Sequence, residues 1–323
     1  MFEKKAQAAP ARYSCLVVGH GAVGVAVAAR LQICGLRPFF WGRSGPVLDS
    51  FQFQGWGRQT KLDPVTAPYT LMDQLKIVFV AVKAFQLNNA VSRVIALVPK
   101  GIPIVCLSNG NVEPLLRAFV QAYPDHLWRM GICRAGVSEV YPKCYGLKST
   151  SGQVLWGNLV SSSALSARQQ PVEMEEYIFS QDQEIFLGWK ENILVEVRKK
   201  WLFNCIMNSL CAAYMFPSNG HLLENIKQVE AVHLEAYRLG AEMWGDWPVS
   251  FSVSDSYHEL IKIICATSEN ENSMHRDVRL GRKTENQYLA QIATRYRGYP
   301  LLKNLSRLID EKALESTPHG KPA

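Results

Sequence analysis

The chain lacks any apolar run of the roughly 18 residues needed to span a bilayer. It has no apolar segment directly after Lys4 and Lys5, so no secretory signal is expected. It lacks Cys-x-x-Cys pairs: its eight cysteines, at 15, 34, 106, 133, 144, 205, 211 and 265, stand singly. That scatter fits reduced thiols in a cytoplasmic compartment, used as small core hydrophobes, better than a disulfide framework. Its seven histidines have no close spacing, so no zinc signature is present and no metal is expected. The formal charge is +7, but Lys and Arg are spread out with no aromatic-interleaved basic strip. Nucleic acid and membrane are therefore not the expected partners; an anionic small ligand suits the basic excess.

What remains is ordinary globular composition, 48% hydrophobic and 20% charged, over 323 residues. That length accommodates two domains. Residues 1–12 and 313–323 read as tails. Tyr13 to Val18 is a short buried-strand run, and Gly19 to Gly24 follows it. Val25 to Cys34 is Ala- and Val-rich and helical, and Gly35 ends it. Arg37–Trp41, Ile77–Val82 and Pro103–Leu107 read as further strands, and Gln86–Val98 and Glu113–Ala122 as helices. Strands alternating with helices indicate parallel βαβ units. Gly131 to Gly157 reads as antiparallel strands closing this domain. From Ile193 the pattern is helical: Ile193–Met215, His221–Gly245, Val253–Arg279 and Thr284–Tyr296. The expected fold is α/β, an N-terminal Rossmann-type parallel-sheet domain (13–190) with an all-α C-terminal domain (191–312).

The sharpest motif is Gly19-His20-Gly21-Ala22-Val23-Gly24, a complete G-x-G-x-x-G between a strand and a helix. The first glycine permits a tight turn. The second lets backbone approach a pyrophosphate, and the third lets helix pack on strand. The helix N-terminus then faces the phosphate charge. From Leu36 to Gly45 there is no acid to bind ribose hydroxyls; Arg43 stands there, with Arg37 nearby. A guanidinium suits a 2′-phosphate, so the expected cofactor is NADPH. Lys83 and Asn109-Gly110 follow successive strands, where an open parallel sheet forms its ligand crevice.

In the second half, Lys200, Asn204 and Asn208 stand at i, i+4 and i+8 among apolar neighbours. Such a stripe suggests a wet cleft lined by a lysine and two amides, a setting suited to acid-base work. Asn270 and Ser273 read as i and i+3 on one helix. Glu285 follows Thr284, a plausible N-cap, where a carboxylate often only compensates the helix dipole.

These pieces together resemble the ketopantoate reductases, the 2-dehydropantoate 2-reductases of pantothenate synthesis. The resemblance runs from about Tyr13 to Ile309. It rests on the glycine motif, Val82 to Gln86, Asn109-Gly110, Lys199 to Asn208, Glu269 to Ser273, and Thr284-Glu285. It implies NADPH-dependent reduction of 2-dehydropantoate to pantoate. By resemblance, Lys200 is the general acid on the ketone oxygen and Glu285 its acidic partner. Asn204, Asn208, Asn270 and Ser273 are implied substrate contacts. Lys83 and Asn109 are implied near the nicotinamide, and Arg43 at the 2′-phosphate. The expected partner is a 2-oxo acid, and the expected assembly, if any, a homodimer. Arg198, Ser209, Asn111 to Glu113, Ala290-Gln291 and Gly298 to Pro300 depart from the family pattern. They lie beside the implied pocket, so they bear on substrate identity more than on reaction type. Two rival functions follow: reduction of another branched 2-oxo acid or a derived imine, and cofactor sensing without turnover.

Overall fold

The computed structural model describes residues 14–65, 68–148, 152–159, 170–184, 186–245, 247–248 and 250–316. The expected tail at 1–12, Tyr13 and residues 317–323 lie outside them. The chain forms two compact units: residues 1–108 with 113–194, and residues 109–112 with 195–323.

The first unit holds β1 (Ser14–Val18), α1 (Ala22–Ile33), β2 (Arg37–Gly42), β3 (Gly45–Pro46), β4 (Phe51–Gly55) and β5 (Arg58–Leu62). It continues with β6 (Leu75–Val80), α2 (Leu87–Val94), β7 (Pro103–Cys106), α3 (Glu113–Ala122) and β8 (Leu127–Cys133). It ends with β9 (Val137–Tyr141), β10 (Cys144–Leu147), β11 (Val154–Asn158), α4 (Glu173–Gln181) and β12 (Leu187–Trp189). The main sheet has the order β12-β11-β8-β7-β6-β1-β2-β3. Strands β2, β1, β6, β7 and β8 run parallel. The chain leaves β1 toward β2 and later returns to its other side with β6. This reversal is a topological switch point, where doubly wound sheets bind ligands.

β1 is buried at every position, as its unbroken apolar run requires when both faces are covered. Helix α1 packs against β1 and β2 on one side and against β4, β5, β9 and β10 on the other. It therefore carries no polar stripe; Val25 to Ala29 are all fully buried.

The second sheet, order β5-β4-β10-β9, goes beyond the expected antiparallel closure. Within 131–157, β8 enters parallel to β7, and β11 runs antiparallel to β8. The β9–β10 hairpin leaves for the second sheet, where it meets β4. There β4 and β5 close a two-residue turn, Trp56-Gly57, with φ of 51° and 70°. Positive φ at both central residues matches the right-handed twist of the paired strands.

The second unit holds α5 (Ile193–Ala213), α6 (His221–Glu224), α7 (Ile226–Trp244), α8 (Val253–Ala266), α9 (Ser273–Arg279) and α10 (Pro300–Glu315). The division between units falls in the first turn of α5. Most of α5 is core: Trp201, Leu202, Cys205, Ile206, Leu210 and Cys211 are at most 1% exposed. They share one apolar cluster with residues of α7, α8, α9 and α10.

Three expectations need correction. The segment 253–279 is two helices, because Asn272 caps a new one, accepting from the Met274 N–H at 3.0 Å. The segment 284–296 is 3₁₀ turns, at Asn286–Tyr288 and Ala290–Arg295, instead of a helix. Helix α10 runs to Glu315, into residues expected as tail.

Candidate active site

In the first unit, β1 delivers the glycine turn. Gly19 has φ +97°, and a Cβ there would lie 2.5 Å from the Ala81 carbonyl oxygen. A Cβ on Gly24 would collide with the Gly19 carbonyl. A Cβ on Gly21 would meet nothing within 4 Å. Two glycines are thus required by packing, and the third leaves backbone bare toward open space. Gly21 begins α1 with no side-chain cap and no acid in the first turn. The first N–H groups of α1 are therefore set for an anion. His20 is exposed, Ala22 and Val23 are half-buried, and Gly24 is buried. These features fit a dinucleotide pyrophosphate.

Gly19 N–H donates to the Trp41 carbonyl at 2.9 Å, which ties this turn to the end of β2. Arg43 is exposed in the turn just after β2. Arg37 begins the same strand, about 16 Å away at 3.3 Å per residue, so it does not reach that end. Lys83 is half-buried after β6, and its N–H donates to Gln86 Oε1 at 3.3 Å. Ser108 Oγ donates to the Val82 carbonyl at 2.9 Å and so joins the ends of β6 and β7.

Asn109 belongs to the second unit. Its Oδ1 accepts from Lys200 Nζ at 2.8 Å, and its Nδ2 donates toward Glu285 Oε2 at 3.4 Å. The charges on either side fix the amide's orientation, since an ammonium only donates and a carboxylate only accepts. The resemblance implies Asn109 near the nicotinamide; in the structure its side chain also contacts Lys200 and Glu285. Glu285 is 4% exposed and precedes a 3₁₀ turn. No α-helix starts there, so it is not compensating a dipole. A buried carboxylate needs partners, and Asn109 is one of them.

Gly110 holds this cluster in place. It has φ +82°, and a Cβ there would lie 2.5 Å from the Tyr288 Cβ. Asn111 N–H and Trp201 Nε1 both donate to the Tyr288 carbonyl, each at 3.0 Å. Next to Glu285, Asn286 is 2% exposed and bonds Ser306 Oγ at 3.1 Å and Asp310 at 3.0 Å, anchoring the segment to α10.

The stripe on α5 changes along its length. Lys200 and Asn204 are half-buried, and the Asn204 side chain has no hydrogen bond among the described residues. Asn208 is 6% exposed, and its Oδ1 accepts from Asn272 Nδ2 at 2.9 Å. It belongs to a buried amide cluster with Asn272 and Asn219, not to an open cleft wall. The sequence reading missed Asn219 and Asn272. Asn270 is half-buried in the bend before α9, and Ser273 is exposed at its first residue. They do not share a helix.

All eight cysteines are free thiols. Burial pushes the thiol pKa of Cys34 and of Cys211 up to about 12, so both are inert at neutral pH. Among the described residues no helix is long and apolar enough to cross a membrane.

Residues 15–160 match the family described as Ketopantoate reductase PanE/ApbA, and residues 192–297 match the description Ketopantoate reductase PanE/ApbA C terminal. The chain belongs to this family. Its members are oxidoreductases, and the glycine turn above is a nicotinamide-dinucleotide type of site. The 2-dehydropantoate 2-reductase of Salmonella typhi is 26% identical over 223 residues, covering 66% of this chain and 65% of that protein. The 2-dehydropantoate 2-reductase structure from Methylococcus capsulatus has a TM-score of 0.73 at 20% identity, covering 94% of this chain and 98% of that one. A D-mandelate dehydrogenase with NADH and anilino(oxo)acetate has a TM-score of 0.75 at 19% identity, covering 94% and 99%. At these identities the two structures establish the fold.

Proposed function

We propose that the chain reduces 2-dehydropantoate to pantoate with NADPH. The observation that supports this most is the contact of Lys200 with Asn109, itself linked to the buried Glu285. A bound reduced nicotinamide supplies the hydride for the C2 ketone. Lys200 hydrogen-bonds the ketone oxygen and delivers the proton as alkoxide charge develops. Asn109 holds the ammonium from behind, its oxygen toward Lys200 and its nitrogen toward Glu285. Asn204 offers a side chain with no hydrogen bond among the described residues, and Ser273 an exposed hydroxyl. With Asn270 they bind the substrate's carboxylate and hydroxyl. Asn208, its oxygen already engaged, supports this set from the buried amide cluster. Gly19 to Gly24 take the pyrophosphate, and Lys83 lies toward the nicotinamide. Arg43, with no acid between Leu36 and Gly45, takes the 2′-phosphate.

A second reading keeps the reaction and changes the 2-oxo acid. Arg198 motivates it as a departure from the family pattern; its guanidinium lies 5.3 Å from the Trp244 ring centroid, a cation–π contact. A panel of 2-oxo acids, including 2-dehydropantoate and a phenyl-substituted one, followed by NADPH absorbance, tests both. The first reading predicts the highest kcat/KM for 2-dehydropantoate. A higher value for another acid selects the second, and no turnover of any acid removes both.

A further inference from the structure

At the end of β2 a second arginine reaches the backbone of Arg43. The Arg93 side chain, from the last turn of α2, donates through Nη1 to the backbone carbonyl of Arg43, fifty positions away. Leu87, Val91 and Val94 are buried and fix α2 on β6, leaving exposed Arg93 pointed away from the core. One of its five N–H donors is spent on the carbonyl, and the others remain. Neither arginine has an ion-pair partner among the described residues. The His20 ring adjoins this turn: a Cβ on Gly42 would lie 3.6 Å from His20 Nε2. The one acid of this turn region, Asp49, is paired with Lys143 at 2.8 Å. The adenosine end of the site thus carries two guanidinium-bearing residues from two elements, the turn after β2 and the last turn of α2.

We propose that Arg93 is a specificity-determining and positioning residue for the cofactor. It fixes the turn that carries Arg43 and adds a second cation for the adenosine 2′-phosphate. This deepens the NADPH reading and rests on it. A phosphate monoester carries nearly two charges at neutral pH, more than one exposed guanidinium neutralises. A ribose hydroxyl gains nothing comparable, so the arginine favours NADPH over NADH.

The test is binding, not turnover. Calorimetric titrations use the full chain and its Arg93→Ala and Arg93→Gln variants, with 2′,5′-ADP, 5′-AMP, NADPH and NADH. Arg93→Ala should weaken 2′,5′-ADP and NADPH by about tenfold or more, as expected for one charge-assisted hydrogen bond. The 5′-AMP and NADH affinities should stay nearly constant. Arg93→Gln keeps a donor for the Arg43 carbonyl without the charge, and should lose part of the discrimination. It also reads the same contrast if the alanine variant does not fold. Equal weakening of all four ligands, or no weakening of any, overturns the proposal. Wild-type chain that binds NADH as tightly as NADPH defeats the underlying cofactor reading, a result visible before any variant is made.

Discussion

Asn109 bonds both Lys200 and Glu285, so it connects the two charged groups of the cluster. Asn109→Ala removes an acceptor for the ammonium and a donor for a buried carboxylate together. The expected result is a kcat lower by about tenfold to a hundredfold, the cost of one or two charge-assisted hydrogen bonds. NADPH affinity, measured by fluorescence titration, should change little. Gly110→Ala should act on the same cluster indirectly, through its positive φ and the close Tyr288 Cβ. The strain is on the order of 1–3 kcal/mol and should appear in both the unfolding midpoint and kcat. Gly110→Ala with wild-type stability and rate would show that this turn does not position Asn109.

Among the elements, those buried on both faces were the most legible. Strands β1, β6 and β7 announce themselves as continuous apolar runs, and the glycine motif marks the start of α1. The β4–β5 hairpin is not among the expected strands, although its alternation is readable: Phe51 and Phe53 face in, Gln52 and Gln54 face out. Its turn residue Trp56 has a positive φ that a bulky aromatic gives no reason to expect; packing on Phe53, Phe186 and Arg30 fixes it there. The break between α8 and α9 was hidden because apolar periodicity continues on either side, while Asn272 quietly supplies a cap. The spacing of Lys200, Asn204 and Asn208 puts them on one face of α5. Which part of it is buried depends on Asn272 and Asn219, which lie far along the chain. Helix α4 shows a long-range dependence of the same kind. Its Glu175 is fully buried and bonds Arg129 of β8 at 3.0 Å, Trp156 of β11 at 2.9 Å and the Val172 N–H at 2.9 Å. Glu175→Ala leaves the Arg129 guanidinium buried without its carboxylate and should cost about 3–5 kcal/mol in urea unfolding. A loss below about 1 kcal/mol would mean that solvent reaches Arg129.

At the scale of the whole molecule, chemistry is divided between two units. The glycine turn and Arg43 belong to the first; Lys200, Asn109 and Glu285 belong to the second, which recruits residues 109–112 from the first half of the chain. Their sequence separation is why the cluster is read from the chain as separate motifs and not as one site. The stability of the second unit should depend on pH through His233 of α7. Its Nε2 lies 2.8 Å from Ser256 Oγ, and that hydroxyl donates to the Val253 carbonyl at 2.8 Å. The imidazole therefore donates through Nε2 to that hydroxyl. Burial lowers its pKa to about 4 from 6.5. Between those values the unfolded chain binds the proton and the folded chain does not, so stability falls as pH drops from about 6.5 toward 4. His233→Gln should lose that part of the pH dependence in urea titrations at pH 7 and pH 5. An unchanged dependence would assign it to other groups.

The most direct test of the central claim is hydride transfer by Lys200→Ala, followed in a single turnover with NADPH and 2-dehydropantoate. With Lys200 as proton donor, the rate constant should fall by about 10²–10⁴ while the Kd for NADPH stays that of the native chain. A variant that transfers hydride at the native rate would contradict the account.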